Sequence, residues 1–232
     1  MIAGQSPTQM SLKRGKFITF EGIDGSGKTT QMGLVADWLG QKRIPYVITR
    51  EPGGTPVGEQ IRAVLLRPSQ TGMNAYSELL LMFASRVDNL ERVIRPALTE
   101  GKVVLCDRFT DASVAYQGYG RGIPVPFIET IHRRVCGNQQ PDLTLIIDIH
   151  PKTSVRRARE REDRAEVKES RFEQETEAFY RRVRRGYRTL ASKYPSRIKL
   201  VPGEGTIEEI HQQIVPFVEA LLGPKLHKRS VL

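Results

Sequence analysis

The chain has 232 residues, 39% apolar and 27% charged, with 20 Gly and 14 Pro, a composition that fits one medium-sized globular domain and excludes fibrous and low-complexity classes. No run reaches the roughly 18 to 20 apolar residues of a membrane helix, and the N-terminal segment lacks the apolar core of a secretory signal, so no membrane contact and a cytoplasmic location are expected. The net charge of +10 is local, since Lys152 to Lys199 holds 16 basic and 8 acidic residues, a net +8, and this points to a polyanion contact at one place.

In chain order, residues 1–15 read as a disordered N-terminal extension, 16–223 as a single domain and 224–232, after a Gly-Pro pair, as a flexible tail. KFITFE (16–21) is predicted as a strand, followed by a Gly-rich segment and a helix to about Gln41. PYVITRE (45–51) is a second strand and VGEQIRAVLL (57–66) a short helix. Between Tyr76 and Leu98, apolar residues at 79, 80, 83, 87, 90 and 94 predict one helix with a broad buried face. KVVLCDR (102–108) is a third strand, nearly all apolar as strands covered on both faces are. A helical stretch follows Pro126, LTLIIDI (143–149) is a fourth strand, and an Arg-rich helix and a second helix from about 171 to 193 come next. RIKLV (197–201) is a fifth strand, and the last helix, TIEEIHQQIVPFVEALL (206–222), contains Pro216, where a kink is expected.

Strands that alternate with helices imply an α/β fold, with a parallel sheet covered by helices on both faces. Ligands bind beyond the carboxyl ends of such strands. There the sequence places Gly22 to Thr29, Arg50 to Gly54, and Asp107-Arg108, three polar clusters that line one crevice. The two cysteines, Cys106 and Cys136, are too few for a disulfide framework and are read as reduced.

Gly22-Ile23-Asp24-Gly25-Ser26-Gly27-Lys28-Thr29 satisfies G-x-x-x-x-G-K-[ST] between a strand and a helix, the placement that a phosphate-binding loop requires. Its N–H groups and the helix N-terminus suit ATP or GTP phosphates, Lys28 suits the β- and γ-phosphates, and the Thr29 hydroxyl suits Mg²⁺. Asp107 ends the third strand, where an Asp supports Mg²⁺ through water. Arg108 either holds a second anion in line with the γ-phosphate or is a solvated strand-end charge. Arg50 ends the second strand in the same plane. Arg86 flanks the apolar face of helix 76–98, and burial there demands either a structural carboxylate or a ligand. Arg157, Arg161 and Arg164 fall on one side of a helix, read as a lid over phosphates in preference to a solvated face screened by Glu160, Glu162 and Asp163.

These residues resemble the thymidylate kinase family. FEGIDGSGKTTQ, TREPGGTPVGE, DRFTDASVAYQGYGRG, PDLTLIIDI and the Arg-rich segment ending in SRFEQ recur in the family's order and spacing across residues 16–222. The resemblance implies a three-layer P-loop kinase fold with a five-stranded parallel sheet, helices on both faces and an Arg-rich lid over about 157–171. It also implies a homodimer that makes dTDP from dTMP with ATP and Mg²⁺. In it, Gly22, Ile23, Asp24, Gly25, Ser26, Gly27, Lys28 and Thr29 hold ATP, and Asp24 faces the 3′-hydroxyl of dTMP. Arg50 and Arg108 take the dTMP phosphate, Asp107 acts through Mg²⁺-bound water, Arg86 meets the thymine edge, and Tyr116 crowds the 2′ position. Met82, with Phe83 beside it, stands where a ring stacks on thymine; Ser113 stands at a base-contacting position, and Gln117 belongs to the same substrate set. The phosphate loop has no Arg, so the likeness is to the form of the family in which lid arginines supply the charge, here Arg157, Arg159, Arg161, Arg164 and Arg171.

Two rivals stand beside this reading. One is a kinase for another nucleoside monophosphate or a deoxynucleoside. The other is a nucleic-acid-binding ATPase that uses the basic segment, but aromatics make up only 7% of the chain and none interleaves the Arg-rich run before Phe172. No nucleic-acid partner is therefore expected.

Overall fold

The computed structural model describes residues 14–67, 72–162 and 175–223, and for 158–162 the backbone alone. The tail over 224–232 and all of the N-terminal extension before Arg14 lie outside these residues. The extension is shorter than expected at its domain end: Gly15 is buried and donates to the Leu98 carbonyl at 2.8 Å.

Five parallel strands, β1 (Phe17–Glu21), β2 (Tyr46–Arg50), β3 (Val103–Asp107), β4 (Leu143–Asp148) and β5 (Ile198–Pro202), form one sheet in the order β2-β3-β1-β4-β5. Side chains alternate across a strand, so β1 feeds two cores. Phe17 packs with Leu79, Leu90, Val104 and Tyr187 on one face, and Ile18 and Phe20 pack with Val35, Leu39, Leu145 and Ile214 on the other. This two-sided covering is why β1, β3 and β4 read as almost unbroken apolar runs. Register sets Arg50 opposite Asp107 and Phe20 opposite Asp107, which brings the polar strand ends to one edge.

α1 (Lys28–Gln41) starts at Gly27, whose φ of 91° is open to glycine alone at low cost. α2 (Pro56–Leu66) is capped by Thr55, which accepts from the Gly58 N–H, with Pro56 in the first turn. The helix expected over 76–98 is one helical run with an interruption: α3 (Ala75–Asn89), a π-helical turn at Leu90–Ile94, then α4 (Arg95–Thr99). Pro96 offers no N–H to the Arg92 carbonyl, so the regular ladder cannot pass this point unchanged. α5 (Thr110–Ser113) passes into a second π-helical stretch, Val114–Gly120, and α6 (Val125–Val135), α7 (Pro151–Glu162), α8 (Glu177–Lys193) and α9 (Ile207–Leu222) follow. The helix expected from about 171 begins at Glu177 among the described residues. α9 continues through Pro216 without a break, and Pro216 and Gln212, one turn before it, are both exposed.

α8 approaches the 114–120 turn closely because glycines stand at both contacts. A Cβ on Gly120 would lie 2.7 Å from the Phe179 ring, and one on Gly186 2.8 Å from Tyr119. That approach carries two α8 tyrosines into the site.

Candidate active site

The loop between β1 and α1 wraps around an open space. Gly22, Gly25 and Gly27 have φ of 139°, 75° and 91°. A Cβ on Gly22 would stand 2.6 Å from the Ile147 carbonyl oxygen, so this loop cannot lie so close to β4 with another residue there. Ile23 is buried in the core and Ser26 is 1% exposed; they serve the loop through their backbones. Lys28 sits between two carboxylates, 3.9 Å from Asp24 and 3.8 Å from Asp107. Burial, and then the nearby Arg108 charge, pull its proton affinity below the ordinary lysine range. Thr29 Oγ1 donates to Asp107 Oδ2 at 2.8 Å, while the buried Asp107 Oδ1 has no hydrogen-bond donor.

Arg108 occupies left-handed backbone at φ 73°, a costly conformation for a non-glycine residue. Its Nη1 donates to the Gly22 carbonyl (3.0 Å) and the Tyr187 hydroxyl (3.2 Å), its Nη2 to Asp24 (2.7 Å) and the Tyr116 hydroxyl (3.0 Å). The Tyr116 and Tyr180 hydroxyls each donate to Asp24 Oδ2 at 3.2 Å. Burial opposes the charge on Asp24, but Arg108 and Lys28 hold its carboxyl below the usual range. Arg108 is thus not a solvated charge: both terminal nitrogens are engaged by protein, and the residue lines the cavity described next.

Behind this cluster lies Glu21, fully buried at the end of β1. It accepts from the Phe109 N–H at 2.8 Å and the Tyr187 hydroxyl at 2.7 Å. Burial pushes its carboxyl up to about 8, against the pull of Arg108.

The other end of a cavity of about 860 Å³ is built on Arg86. This residue is 1% exposed. Its Nε donates to Glu51 at 2.6 Å and its Nη2 to the Phe109 carbonyl (3.1 Å) and Ser113 Oγ (3.0 Å), whereas Nη1 has no acceptor. Of the two options left open by the sequence, the structural carboxylate is present as Glu51, while Nη1 on the other side of the guanidinium is left without an acceptor. Met82, Ser113, Tyr116 and Gln117 line the cavity, Gln117 also donating to buried Glu78 at 2.7 Å. Phe83 does not line it. One residue turns the helix by about 100°, and Phe83 falls in the core, its ring 4.7 Å from the Arg86 guanidinium. The expected contact of Phe83 with substrate is therefore corrected to support of Arg86 from behind.

Arg50 lines the same cavity but pairs with Glu59 of α2 at 2.9 Å, so it too is engaged. On the opposite side, α7 reaches the phosphate loop: Ser154 Oγ donates to the Asp24 carbonyl and Arg157 Nη1 to the Gly25 carbonyl at 3.0 Å. The backbone of Arg159 and Arg161 continues α7. Their side chains, and Arg164 and Arg171 altogether, lie outside the described residues, as does most of the expected lid.

A family model described as thymidylate kinase matches residues 20–214. The chain belongs to the thymidylate kinase family. A thymidylate kinase of Symbiobacterium thermophilum is 44% identical over 207 residues, 89% of this chain and 94% of that one, and one of Pelotomaculum thermopropionicum is 44% identical over 94% of this chain and 99% of its own. The crystal structure of thymidylate kinase from Ehrlichia chaffeensis superposes with a TM-score of 0.70 at 36% identity, covering 88% of this chain and 98% of that one. Membership accounts for the five-stranded parallel sheet and for the phosphate loop between β1 and α1.

Five further residues stand at the candidate site, Glu21, Glu59, Arg62, Tyr180 and Tyr187, of which Glu21 and Glu59 lie within the strings that resemble the family. Glu59 and Arg62 are three residues apart on α2 and share a face, as do Tyr180 and Tyr187, seven apart on α8. Glu21 had one visible sign, a lone acid closing an apolar strand.

Proposed function

We propose that the protein transfers the γ-phosphoryl group of ATP to dTMP and releases dTDP and ADP. One observation carries this most directly: a single cavity runs from the phosphate loop to Arg86 Nη1, a buried donor with no acceptor. A buried donor left unpaired is costly, and a pyrimidine carbonyl is the kind of acceptor that removes the cost. Beside it Met82 offers a soft apolar surface for the base, and the Tyr116 ring walls the sugar region.

The chemistry asks little of the protein in covalent terms. An oxygen of the acceptor phosphate attacks the γ-phosphorus, the bond to the β-bridging oxygen breaks, and no side chain needs to act as nucleophile or base because the acceptor is already an anion. The chain holds the two phosphates in line and neutralises charge. Lys28 serves the transferring group. Arg108, fixed by four hydrogen bonds, contributes positive potential and its remaining Nε–H. Arg157, which donates to the Gly25 carbonyl of the phosphate loop, is proposed to act from the α7 side together with Arg161 and Arg164.

Asp107 and Thr29 fit a Mg²⁺ ion, because the orphaned Asp107 Oδ1 is a hard anionic oxygen beside a hydroxyl. Nucleotide oxygens and water would complete the shell, and the bound ion would offset phosphate charge. A homodimer is supported by exposed Val64 of α2, Leu80 and Tyr76 of α3 and Phe127 of α6, with Tyr76 and Phe127 in edge-to-face contact. The test of the reaction is transfer of label from γ-labelled ATP: label on dTDP supports it, and label only on inorganic phosphate refutes it.

A further inference from the structure

Two groups of different character line the Arg86 end of the cavity. Arg86 offers Nη1, a buried donor with no acceptor. Gln117, 2% exposed, lines the cavity from the π-helical stretch over Val114–Gly120, four residues after Ser113, which accepts from Arg86 at 3.0 Å. An amide can present either its NH₂ donors or its carbonyl oxygen, but here the choice is made from behind: Gln117 Nε2 donates to Glu78 Oε1 at 2.7 Å. Glu78 is 0% exposed on α3 and does not itself line the cavity. Arg121 pairs with its other oxygen at 3.3 Å. A carboxylate accepts and does not donate, so the reverse orientation of the Gln117 amide would set two oxygens face to face.

We infer that Glu78 sets which pyrimidine the protein accepts: by holding the amide nitrogen of Gln117 it turns the amide oxygen to the cavity as an acceptor, alongside the Arg86 donor. A thymine edge offers the complement, an O4 acceptor next to an N3–H donor, whereas cytosine offers an N4 amino donor next to an N3 acceptor. Cytosine would therefore meet donor with donor and acceptor with acceptor, and a buried polar site rejects such a ligand strongly. Glu78 is a positioning residue, which acts through Gln117 and touches no substrate atom. This rests on the reading of the cavity as the dTMP site.

The test compares kcat/KM for dTMP and for dCMP in the wild type, in Glu78→Gln, and in the exchange variant Glu78→Gln, Gln117→Glu. Glu78→Gln keeps the shape but lets the two amides pair either way round. It is expected to narrow the dTMP-to-dCMP ratio at least about tenfold, through a raised KM for dTMP with kcat little changed. A carboxylate at 117 presents an acceptor in every orientation and still pairs with an amide at 78, so the exchange variant is expected to regain most of the native ratio. Equal losses for both substrates in Glu78→Gln mean a structural role and overturn the inference. An unchanged ratio in that variant, or an exchange variant whose ratio stays narrowed, also overturns it; the exchange variant alone decides if Glu78→Gln does not fold. In the wild type, dTMP methylated at N3 has no ring N–H to donate and should bind at least about tenfold more weakly than dTMP; undiminished affinity overturns the inference without any variant. A wild-type protein that uses dTMP and dCMP equally well overturns the inference and leaves the reading of the cavity standing. One that neither binds nor phosphorylates dTMP overturns that reading, and the inference with it.

Discussion

Replacing Glu51 by Ala probes how the base end of the cavity is built. Arg86 and Glu51 each expose 2% of their side chains and meet at 2.6 Å. Glu51→Ala removes the only carboxylate on the guanidinium among the described residues and leaves neutral partners, the Phe109 carbonyl and the Ser113 hydroxyl. The faces of Phe83 and Phe109, at 4.7 and 5.3 Å, are already present in the native protein and offer no new compensation. Breaking a buried pair from one side costs about 3 to 5 kcal/mol. In a chain of this size about 1 kcal/mol moves Tm by about 2 to 4 °C, so a fall of about 6 to 20 °C is expected. The double variant Glu51→Met, Arg86→Met removes both charges together and should recover most of that loss, while weakening dTMP through loss of the thymine-edge donor. Thermal unfolding followed by circular dichroism measures the first effect, and dTMP titration the second. A single variant destabilised by less than about 1 kcal/mol, or a double variant no more stable than the single, would refute this account of the pair.

Lys28→Ala should leave the melting curve close to native and lower kcat about 10²- to 10³-fold or more, checked by steady-state kinetics on the folded variant. Tyr116→Ala should narrow the preference for dTMP over its ribo counterpart, since the proposed discrimination is steric; an undiminished preference places it elsewhere. Replacing Arg157, Arg161 and Arg164 by Gln should lower kcat far more than dTMP affinity, and retention of kcat within about tenfold would leave those arginines as a solvated face. Burial raises the Glu21 carboxyl in the folded state to about 8, against the ordinary value of 4.5 in the unfolded chain. The folded state therefore binds more protons between these values, and the Glu21 contribution to stability falls as pH rises from 4.5 to 8. Glu21→Gln should flatten that part of the pH–stability profile, and an unchanged profile would show that Glu21 ionises normally.

The strands and the phosphate loop were legible because each rests on local rules. Apolar runs of five or six residues bounded by glycine or charge mark buried parallel strands, and Lys28 and Thr29 follow the glycines at the one spacing a loop-to-helix turn permits. The π-helical turns were not legible, since the apolar positions from 79 to 94 fit a continuous α-helix equally well. Met82 and Phe83 could not be separated without knowing which side of α3 meets the sheet. Arg108 was found, but its saturation by Gly22, Asp24, Tyr116 and Tyr187 depends on α8, whose approach is set by Gly120 and Gly186 far away in sequence. Arg62 stayed hidden in VGEQIRAVLL, where one cation on a short amphipathic helix carries no sign of the cavity that it faces.

The proposed acceptor of the phosphoryl group is dTMP, and not water or nucleic acid. It is tested most directly by following ADP release from ATP with dTMP present, with dTMP absent, and with single-stranded DNA in its place. The expected result is ADP release that requires dTMP and yields an equal amount of dTDP. Release that proceeds without dTMP, or that responds to DNA and not to dTMP, would contradict it.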